Sequence, residues 1–492
     1  MLTTERARPA DSRLTAPRAA SDAIALEIPA ADVLRRFDGP GPRYTSYPTA
    51  DRFTDAFDAG AFAGALAHRA RDAAPPPLSL YVHLPFCDTV CYYCGCNKVV
   101  TRNHGRVGDY LQALAAEAAL AARALQGDAA PRTLPIEQLH LGGGTPTFLS
   151  SDELTQLMDL LSARFPLAPG AEVGIEVDPR STAPDKVRTL ATLGFNRMSV
   201  GVQDFDDEVQ RAVNRVQSFA LTAATLEAAR AAGFRSINLD LIYGLPRQTR
   251  ESFARTLDQV LALEPDRIAL YHYAHLPERF KPQRRIAAAE LPSSEVKAVI
   301  MFDAIERLTA AGYRYIGMDH FARGDDDLAR AQVQGRLHRN FQGYSTRAEC
   351  DLIGLGVSAI SKVGPTYAQN ARTLDEYYDA LADGRLPTVR GVMLDRDDLL
   401  RRAVIMALMC QFMVSKEAVA EAHLIDFDDY FAAERVALAP LVAAGLVEDG
   451  PEWLSVTARG KLLVRAVAMQ FDRYLRHESQ MRERTLRYSR VA

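Results

Sequence analysis

From residue 78 onward, short runs rich in β-branched and aromatic residues recur, and most are followed by stretches whose apolar residues fall at helical spacing. The runs at 78–86, 136–141, 172–177, 197–203, 236–243 and 267–275 predict strands. Between them, residues 109–125, 152–164, 184–193, 221–232 and 252–263 predict helices. Alternation of this kind predicts parallel strands joined by crossover helices, in a sheet buried on both faces. Six such strands suit a partial barrel, whose chemistry belongs at the carboxyl ends of its strands. The residues just beyond each strand are therefore the ones to examine.

The rhythm changes after residues 313–323 and 338–361, and from about residue 390 the pattern is mostly helical. Residues 432–444, the turn Gly445-Leu-Val-Glu-Asp-Gly450, residues 453–457 and residues 461–474 predict helix, turn, short hairpin and helix. That order is winged-helix-like, but a packing role is preferred, because a fold alone licenses no nucleic-acid function. The chain thus reads as a leader over 1–35, a closing segment over 36–77, the barrel and its extension over 78–389, and a helical domain over 390–492. Residues 1–30 mix arginines and acids with Ala, Pro and Ser and lack the apolar core of a secretory signal, which predicts a disordered or loosely docked leader on a cytosolic protein. No run of about 18 apolar residues predicts a membrane span.

Composition narrows the function classes. The 492 residues are 48% apolar, with 58 basic against 62 acidic side chains and a formal charge of −4. A slightly acidic balance argues against nucleic acid as the main partner and leaves anionic small molecules open through local Arg placement. Six cysteines are spread unevenly: Cys87, Cys91, Cys94 and Cys96 lie close together, whereas Cys350 and Cys410 stand alone in apolar sequence and read as core residues. Such clustering points to a metal rather than to disulfides.

Cys87-Asp-Thr-Val-Cys91-Tyr-Tyr-Cys94 directly follows the first strand, so three thiolates converge from one loop at the barrel mouth. Soft thiolates select zinc, copper(I) or iron–sulfur clusters. A structural zinc site commonly closes with two separated pairs of ligands, and no second pair exists here. Three cysteines on a 4Fe-4S cluster would leave one iron open to a substrate atom. Cys96 is the rival fourth ligand, but a single intervening residue makes it hard for Cys94 and Cys96 to reach different corners of one cube, so it reads as active-site wall and candidate catalytic residue. His83, four residues before Cys87, is a second rival. Like His140, His272, His275, His320 and His338, it reads by default as a structural histidine.

The C-x3-C-x2-C loop after a first barrel strand resembles that of the radical S-adenosylmethionine (SAM) enzymes. More closely, Pro42-Arg-Tyr-Thr-Ser-Tyr-Pro48, Tyr81-Val-His-Leu-Pro-Phe-Cys87, Cys94-Gly-Cys-Asn-Lys98 and Gly142-Gly-Gly-Thr-Pro-Thr147 together resemble the oxygen-independent coproporphyrinogen III oxidase family. The likeness continues through Gly201-Val-Gln-Asp-Phe205, Asp240-Leu-Ile-Tyr-Gly-Leu-Pro246, Tyr273-Ala-His-Leu-Pro277, Met318-Asp-His-Phe-Ala-Arg323 and His338-Arg-Asn-Phe-Gln-Gly-Tyr344. It implies a partial (β/α)6 TIM-like barrel with an N-terminal extension and a mostly helical C-terminal domain. It also implies a 4Fe-4S cluster on Cys87, Cys91 and Cys94, SAM on the open iron and a second SAM beside it.

The resemblance assigns cofactor contacts to Tyr81, Tyr93, Gly143, Gly144, Thr145, Glu176, Gln203, Arg215, Asp240, Ala274 and Ile360. Tyr93 stands where the family often has another aromatic. The chemistry of these residues is compatible with the assignment: glycines let backbone approach a ligand, a carboxylate can hold ribose hydroxyls or an ammonium, and Arg pairs with a carboxylate. The triple glycine is not a phosphate loop, since no Gly-Lys-Ser/Thr follows. Gly354-Leu-Gly-Val-Ser-Ala359 imitates a dinucleotide fingerprint, but Thr373-Leu-Asp-Glu-Tyr-Tyr378 reads as helix where that motif needs a strand ending in an acid.

The activity implied is anaerobic oxidative decarboxylation of two propionates of coproporphyrinogen III in haem biosynthesis, by a cytoplasmic monomer with an external electron donor and acceptor. A substrate bearing four propionates asks for cations, for which Arg43, Lys98, Arg102 and Arg339 are candidates. Residues 43–48 would lie across the site and order on substrate binding. The rivals are a related haem-binding protein, which usually lacks the Tyr44/Tyr47 segment and the extra Cys96; a methyltransferase of the same superfamily; and a zinc-stabilised binding module, which would leave the SAM-like motifs unexplained.

Overall fold

Six parallel strands carry the apolar runs: β1 (Leu78–Leu84), β2 (Ile136–Gly143), β3 (Leu167–Val177), β4 (Arg197–Gln203), β5 (Ser236–Tyr243) and β6 (Arg267–His272). In this computed structural model, which describes residues 26–127 and 134–480, neighbouring strands pair in chain order. Their registers set apolar residues side by side, with Val82 opposite Leu141, Leu139 opposite Val173, Ile175 opposite Met198, and Leu239 between Val200 and Ile268. Beyond β1 the ladder continues into β7 (Asp351–Leu355), which is parallel to it, and then into antiparallel β8 (Ile360–Val363), β9 (Thr366–Asn370) and β10 (Thr388–Met393). The order runs outward from β1 in both directions without closing, which is the partial barrel expected.

The crossover helices start where side chains can satisfy free backbone N–H groups. Ser150 and Glu153 form a capping box ahead of Ser151–Ser162, Thr249 and Ser252 do the same for Arg250–Ala262, and Ser218 caps Phe219–Ala231. Three boundaries differ by three residues or more from the sequence expectation. The first helix begins at Gly105 rather than 109, after a turn in which Asn103 accepts from the Gly105 N–H. β3 begins at Leu167 rather than 172 and runs through Pro169 and Gly170, residue types that count against a strand in sequence. β6 ends at His272 rather than 275.

Two compact units emerge, each assembled from separate stretches of chain. One, Phe53–Ala311 with Cys350–Met393, contains the barrel. The other gathers residues up to Arg52, Gly312–Glu349 and residues from Leu394 on. It holds the hairpins Tyr313–Gly317/His320–Arg323 and His338–Asn340/Gly343–Ser345, and the helix Arg396–Gln411. A small sheet of Met413–Ser415, Trp453–Val456 and Val447–Asp449 lies in the same unit as the helices Lys416–His423 and Ala432–Ala443. The single helix expected over 461–474 is instead broken. Asp472 is extended and its carboxylate caps Tyr474 and Leu475, so a new helix, Arg473–Gln480, starts there.

The leader expected over 1–35 falls largely on residues 1–25, which lie outside the described residues; its last five residues belong to the helix Ala31–Phe37. Tyr44 and Tyr47, expected in a closing segment, are fully buried in their own unit. The Tyr44 hydroxyl donates to Asp472 at 3.0 Å, and the Tyr47 oxygen accepts from the Arg473 N–H at 3.2 Å. In this structure the segment is anchored, and swinging it out would expose both rings and break both bonds. Among the described residues no helix is long and apolar enough to cross a membrane.

Within the barrel unit, one buried carboxylate ties strand ends together. Glu117, on the helix Gly105–Gln126, accepts from the Gly356 N–H at 2.7 Å, the Asn370 amide at 2.6 Å and the Tyr377 hydroxyl at 2.6 Å. Earlier on the same helix, the Tyr110 hydroxyl donates to the His83 carbonyl at 2.7 Å and accepts from the Val357 N–H. Burial pushes the Glu117 carboxyl from 4.5 up to about 7 despite its three donors. The native state then holds a proton that the unfolded chain releases, so this group's stabilising share is full below about 4.5 and is lost as pH rises to about 7. Glu117→Ala is expected to lower the unfolding free energy by about 3 kcal/mol in denaturant titrations, since it strands buried donors. The deficit is expected to be larger below about pH 4.5 than above about pH 7, and a variant as stable as the parent would contradict this.

Candidate active site

The cysteine loop leaves the carboxyl end of β1 and is closed at its base by a two-residue parallel pair, in which Phe86 and Cys87 lie opposite Val99 and Val100. It is also pinned along its length. The Tyr92 N–H donates to the Val213 carbonyl at 2.9 Å, the Asn214 amide donates to the Val90 carbonyl at 2.8 Å, and the Gln283 amide donates to the carbonyls of Tyr93 and Ala274. The loop is thereby held against the barrel rim by contacts within the chain.

Each of the three sulfurs faces a donor. The Thr145 hydroxyl lies 3.3 Å from Cys87 Sγ, Arg215 and Arg180 lie 3.6 and 3.7 Å from Cys91 Sγ, and the Cys96 N–H lies 3.4 Å from Cys94 Sγ. Asp178 aims both guanidiniums, accepting from Arg180 at 2.7 Å and from Arg215 at 3.0 Å. Donors of this kind favour thiolate over thiol. Hydrogen bonding from the Cys96 thiol, joined by the Lys98 charge, brings Cys94 down to about 5 against the effect of its burial, whereas burial pushes Cys87 up to about 11. The three sulfurs do not all lie within 4.8 Å of one another. A single zinc, with Zn–S bonds of about 2.3 Å, would need them about 3.8 Å apart. The wider set suits a polynuclear cluster in which each thiolate holds its own iron, so the residues present fit a 4Fe-4S group.

These cysteines open into a cavity of about 450 Å³. Its wall includes Tyr93, Gly143, Gly144 and Thr145 on the near side, with Glu176, Gln203, Arg215 and Asp240 from the strand ends and the segments after them. Cys96, Lys98 and Arg102 also line it. Three predicted contacts are not brought into the wall. Tyr81 bonds His83 and stacks on His140, Ala274 presents its carbonyl to Gln283, and Ile360 sits on β8 with its backbone against Gly354. Of the proposed propionate partners, Arg43 and Arg339 belong to the other unit, where Arg339 Nε donates to the Arg43 carbonyl.

The glycines have a packing reason as well as a ligand one. Gly143 has φ +116, and a Cβ there would meet the His83 ring at 2.8 Å. A Cβ on Gly144 would meet the Pro85 backbone at 2.7 Å. The dinucleotide-like glycines 354 and 356 are explained in the same way, by close approach of Ile360 and His83 backbone, and Leu374–Ala382 is helical. His83 has both ring nitrogens engaged, with Tyr81 at 3.2 Å and the Asn97 carbonyl at 2.9 Å, which suits a structural histidine.

On the far wall, Glu176 accepts from the Gly143 N–H at 3.2 Å with His140 at 3.7 Å, and these partners hold its carboxyl below the usual range although burial alone would raise it. Burial pushes Asp240 up to about 6, and the neighbouring Glu176 adds to the rise, against bonds from Ser199 and Asn238 at 2.8 Å. Gln203 holds φ +68, a left-handed conformation that non-glycine residues keep chiefly where surrounding structure imposes it, as at functional sites. Sequence reasoning missed Arg180, Asp178 and Ser199 as wall residues. Arg180 lies just past β3, and Ser199, Gly201 and Gln203 alternate on one face of β4, so strand periodicity from Gln203 would have found Ser199.

Comparisons with known proteins agree with this geometry. Residues 81–260 match the family model described as "Radical SAM superfamily", and residues 394–463 match "HemN C-terminal domain". The chain is 51% identical over 447 residues to the oxygen-independent coproporphyrinogen III oxidase of Pseudomonas aeruginosa, covering 90% of this chain and 96% of that protein. It is 47% identical over 459 residues to the Escherichia coli protein of the same name, covering 93% and 97%. The solved structure of the E. coli coproporphyrinogen III oxidase (HemN), described as a radical SAM enzyme, superposes with a TM-score of 0.85 at 46% identity, covering 92% of this chain and 100% of that one. With the cysteine loop, the barrel and the C-terminal region all matched, this chain belongs to the oxygen-independent coproporphyrinogen III oxidase family of radical SAM enzymes.

Proposed function

We propose that this chain oxidatively decarboxylates two propionate side chains of coproporphyrinogen III to vinyl groups, giving protoporphyrinogen IX in haem biosynthesis. The observation that carries this reading is the set of three thiols at the mouth of the barrel, each facing a donor, opening into a cavity whose far wall is polar. The choice of substrate is supported by relatives of that named activity at 47–51% identity over at least 90% of both chains.

Radical SAM membership implies a 4Fe-4S cluster and SAM, here assigned to Cys87, Cys91 and Cys94. When bound and reduced, that pair would supply the 5′-deoxyadenosyl radical chemistry for removing one hydrogen atom from a propionate, with carbon dioxide and one electron to an external acceptor as the other products. The protein's part is to place and shield. Thr145, Arg180, Arg215 and the Cys96 N–H aim hydrogen-bond donors at the ligating sulfurs and hold them in place. Glu176, Gln203 and Asp240 offer acceptors and donors to the nucleoside and amino-acid parts of SAM. A second SAM is assigned beside the first, with the contacts left undivided between the two; of the remaining assigned residues Tyr93 lines the cavity and Tyr81, Ala274 and Ile360 do not. Cys96, on the same wall, is the candidate catalytic residue. The chain is read as a monomer, and cysteines clustered for a metal rather than paired as disulfides support a reducing, cytoplasmic compartment.

Anaerobic reconstitution with reductant, SAM and coproporphyrinogen III is expected to give carbon dioxide and 5′-deoxyadenosine together; SAM cleavage without decarboxylation would reject the substrate. Cys91→Ala is expected to lose the cluster's visible absorbance and both products, and Cys96→Ala to keep the absorbance. The reverse pattern would overturn the ligand assignment. Asp240 accepts hydrogen bonds from SAM most strongly when ionised, so SAM affinity in equilibrium dialysis is expected to fall as pH drops through about 6. Asp240→Asn is expected to bind about tenfold more weakly above that pH and to show a flat profile. An unchanged profile would remove Asp240 from the site.

A further inference from the structure

On the side away from the cavity, the cysteine loop is packed against a basic segment whose charge the chemistry above does not use. Residues 279–285, Arg-Phe-Lys-Pro-Gln-Arg-Arg, come shortly after the end of β6 and hold four cations and no acid. Arg279, Lys281, Arg284 and Arg285 are exposed, and among the described residues none of them is in an ion pair. A short 3-10 helix runs from Lys281 to Arg285, and Gln283, 2% exposed, fastens it. Its amide donates to the Tyr93 and Ala274 carbonyls at 2.9 and 3.2 Å, and its oxygen accepts from the Leu276 N–H at 2.6 Å. The Phe280 ring lies against Gly95, where a Cβ would meet it at 3.1 Å. The Arg285 guanidinium sits 5.2 Å from the Tyr92 ring centre, with Nη1 3.3 Å from the Tyr92 hydroxyl. The segment thus touches the residues on both sides of Cys94.

None of residues 276–285 lines the cavity, so these cations are not part of the wall that meets SAM. An electron donor has to come close to the cysteine loop, because transfer between proteins weakens steeply with distance. The cavity side is taken up by SAM and substrate, which leaves the outer side. There a chain of formal charge −4 presents a local basic rim around two half-buried rings, Tyr92 and Phe280. Arg and aromatic side chains are the ones that carry most binding energy at protein interfaces. A patch of one sign also steers a partner of the other sign, even where the net charges of the two proteins repel. Since Gln283 already fixes the backbone beneath the cations, docking orders little that is not ordered beforehand.

We propose that Arg279, Lys281, Arg284 and Arg285, around Tyr92 and Phe280, form the docking surface for a small acidic one-electron carrier protein that reduces the cluster beside Cys94. This names the electron partner of the function proposed above and rests on that reading. The carrier is oxidised by one electron, which passes to the cluster, and no atom or proton is exchanged between the two proteins.

The test uses the full-length, reconstituted protein and a plant-type ferredoxin, a small acidic carrier of low potential, as the probe. Binding is measured by titration calorimetry with the oxidised carrier, and electron delivery by the rate of 5′-deoxyadenosine release with the reduced carrier as sole reductant and no porphyrin present. Affinity is expected to fall steeply with added salt, and to be lost when the surface carboxylates of the ferredoxin are amidated. The double variant Arg279→Glu/Lys281→Glu is expected to weaken binding about tenfold and to slow carrier-driven release by a similar factor. Its visible cluster absorbance, and its SAM cleavage with a small neutral photoreductant, are expected to match the parent, which shows that the variant is folded and loaded. Arg164→Glu, an exposed position just before β3 at the opposite end of the barrel, is expected to change neither measurement. Unchanged binding in the double variant, binding indifferent to salt and amidation, or a DNA duplex bound as tightly as the carrier would overturn the docking surface. Carrier-driven SAM cleavage that needs residues 279 and 281 but yields no carbon dioxide from coproporphyrinogen III would count against the substrate and leave the docking surface standing. Decarboxylation driven by the photoreductant, with no effect of the double variant on the carrier, would count against the docking surface alone.

Discussion

The structure turns on a problem of like charges: three thiolates from one short loop must be held near one another at the mouth of an apolar barrel. Coulomb repulsion and desolvation both oppose that arrangement. It is relieved by donors from different elements, namely Thr145 after β2, Arg180 after β3, Arg215 after β4, and the backbone of Cys96 in the loop itself. Asp178 lets two guanidiniums approach one sulfur, since each would otherwise repel the other. The barrel is thus a device for bringing the carboxyl ends of separate strands to one small volume, and a parallel sheet does so because all its strand ends face the same way.

Close approach is the second constraint. The end of β2 lies against the end of β1 so tightly that side chains at 143 and 144 would strike His83 and Pro85. The glycines that free backbone groups for a ligand therefore also let the strands meet. His83 is fixed in turn by Tyr81 and the Asn97 carbonyl, and its own carbonyl is held by Tyr110. Glu117 binds the far side of this arrangement through Gly356, Asn370 and Tyr377. The loop that carries the cysteines consequently starts from a rigid floor.

Much of this was legible in sequence because its signals are local. Six apolar runs and the cysteine spacing located the barrel and the cluster loop, whereas most of the cavity wall was assigned through the resemblance to radical SAM enzymes. What escaped depends on tertiary contact. Arg180 was not singled out in sequence, because its contact with Cys91, aimed by Asp178, is made only in the fold. Tyr44 and Tyr47 carried no sign that their partners would be Asp472 and Arg473, more than 400 residues away. The break at Asp472 was hidden inside an unbroken helical pattern, since a carboxylate acts as a cap only when the backbone before it is extended. Likewise, hydrophobic rhythm does not report that residues 312–349 fold with the C-terminal region while 350–393 extend the barrel sheet.

The central claim is that the polypeptide occupies three irons of the cluster and leaves the fourth for SAM. Mössbauer spectroscopy of protein reconstituted with isotopically enriched iron, recorded with and without SAM, tests it most directly. The account predicts that one iron changes its coordination signature when SAM is added while the other three keep that of thiolate ligation. Four irons with identical thiolate signatures, unaltered by SAM, would contradict it.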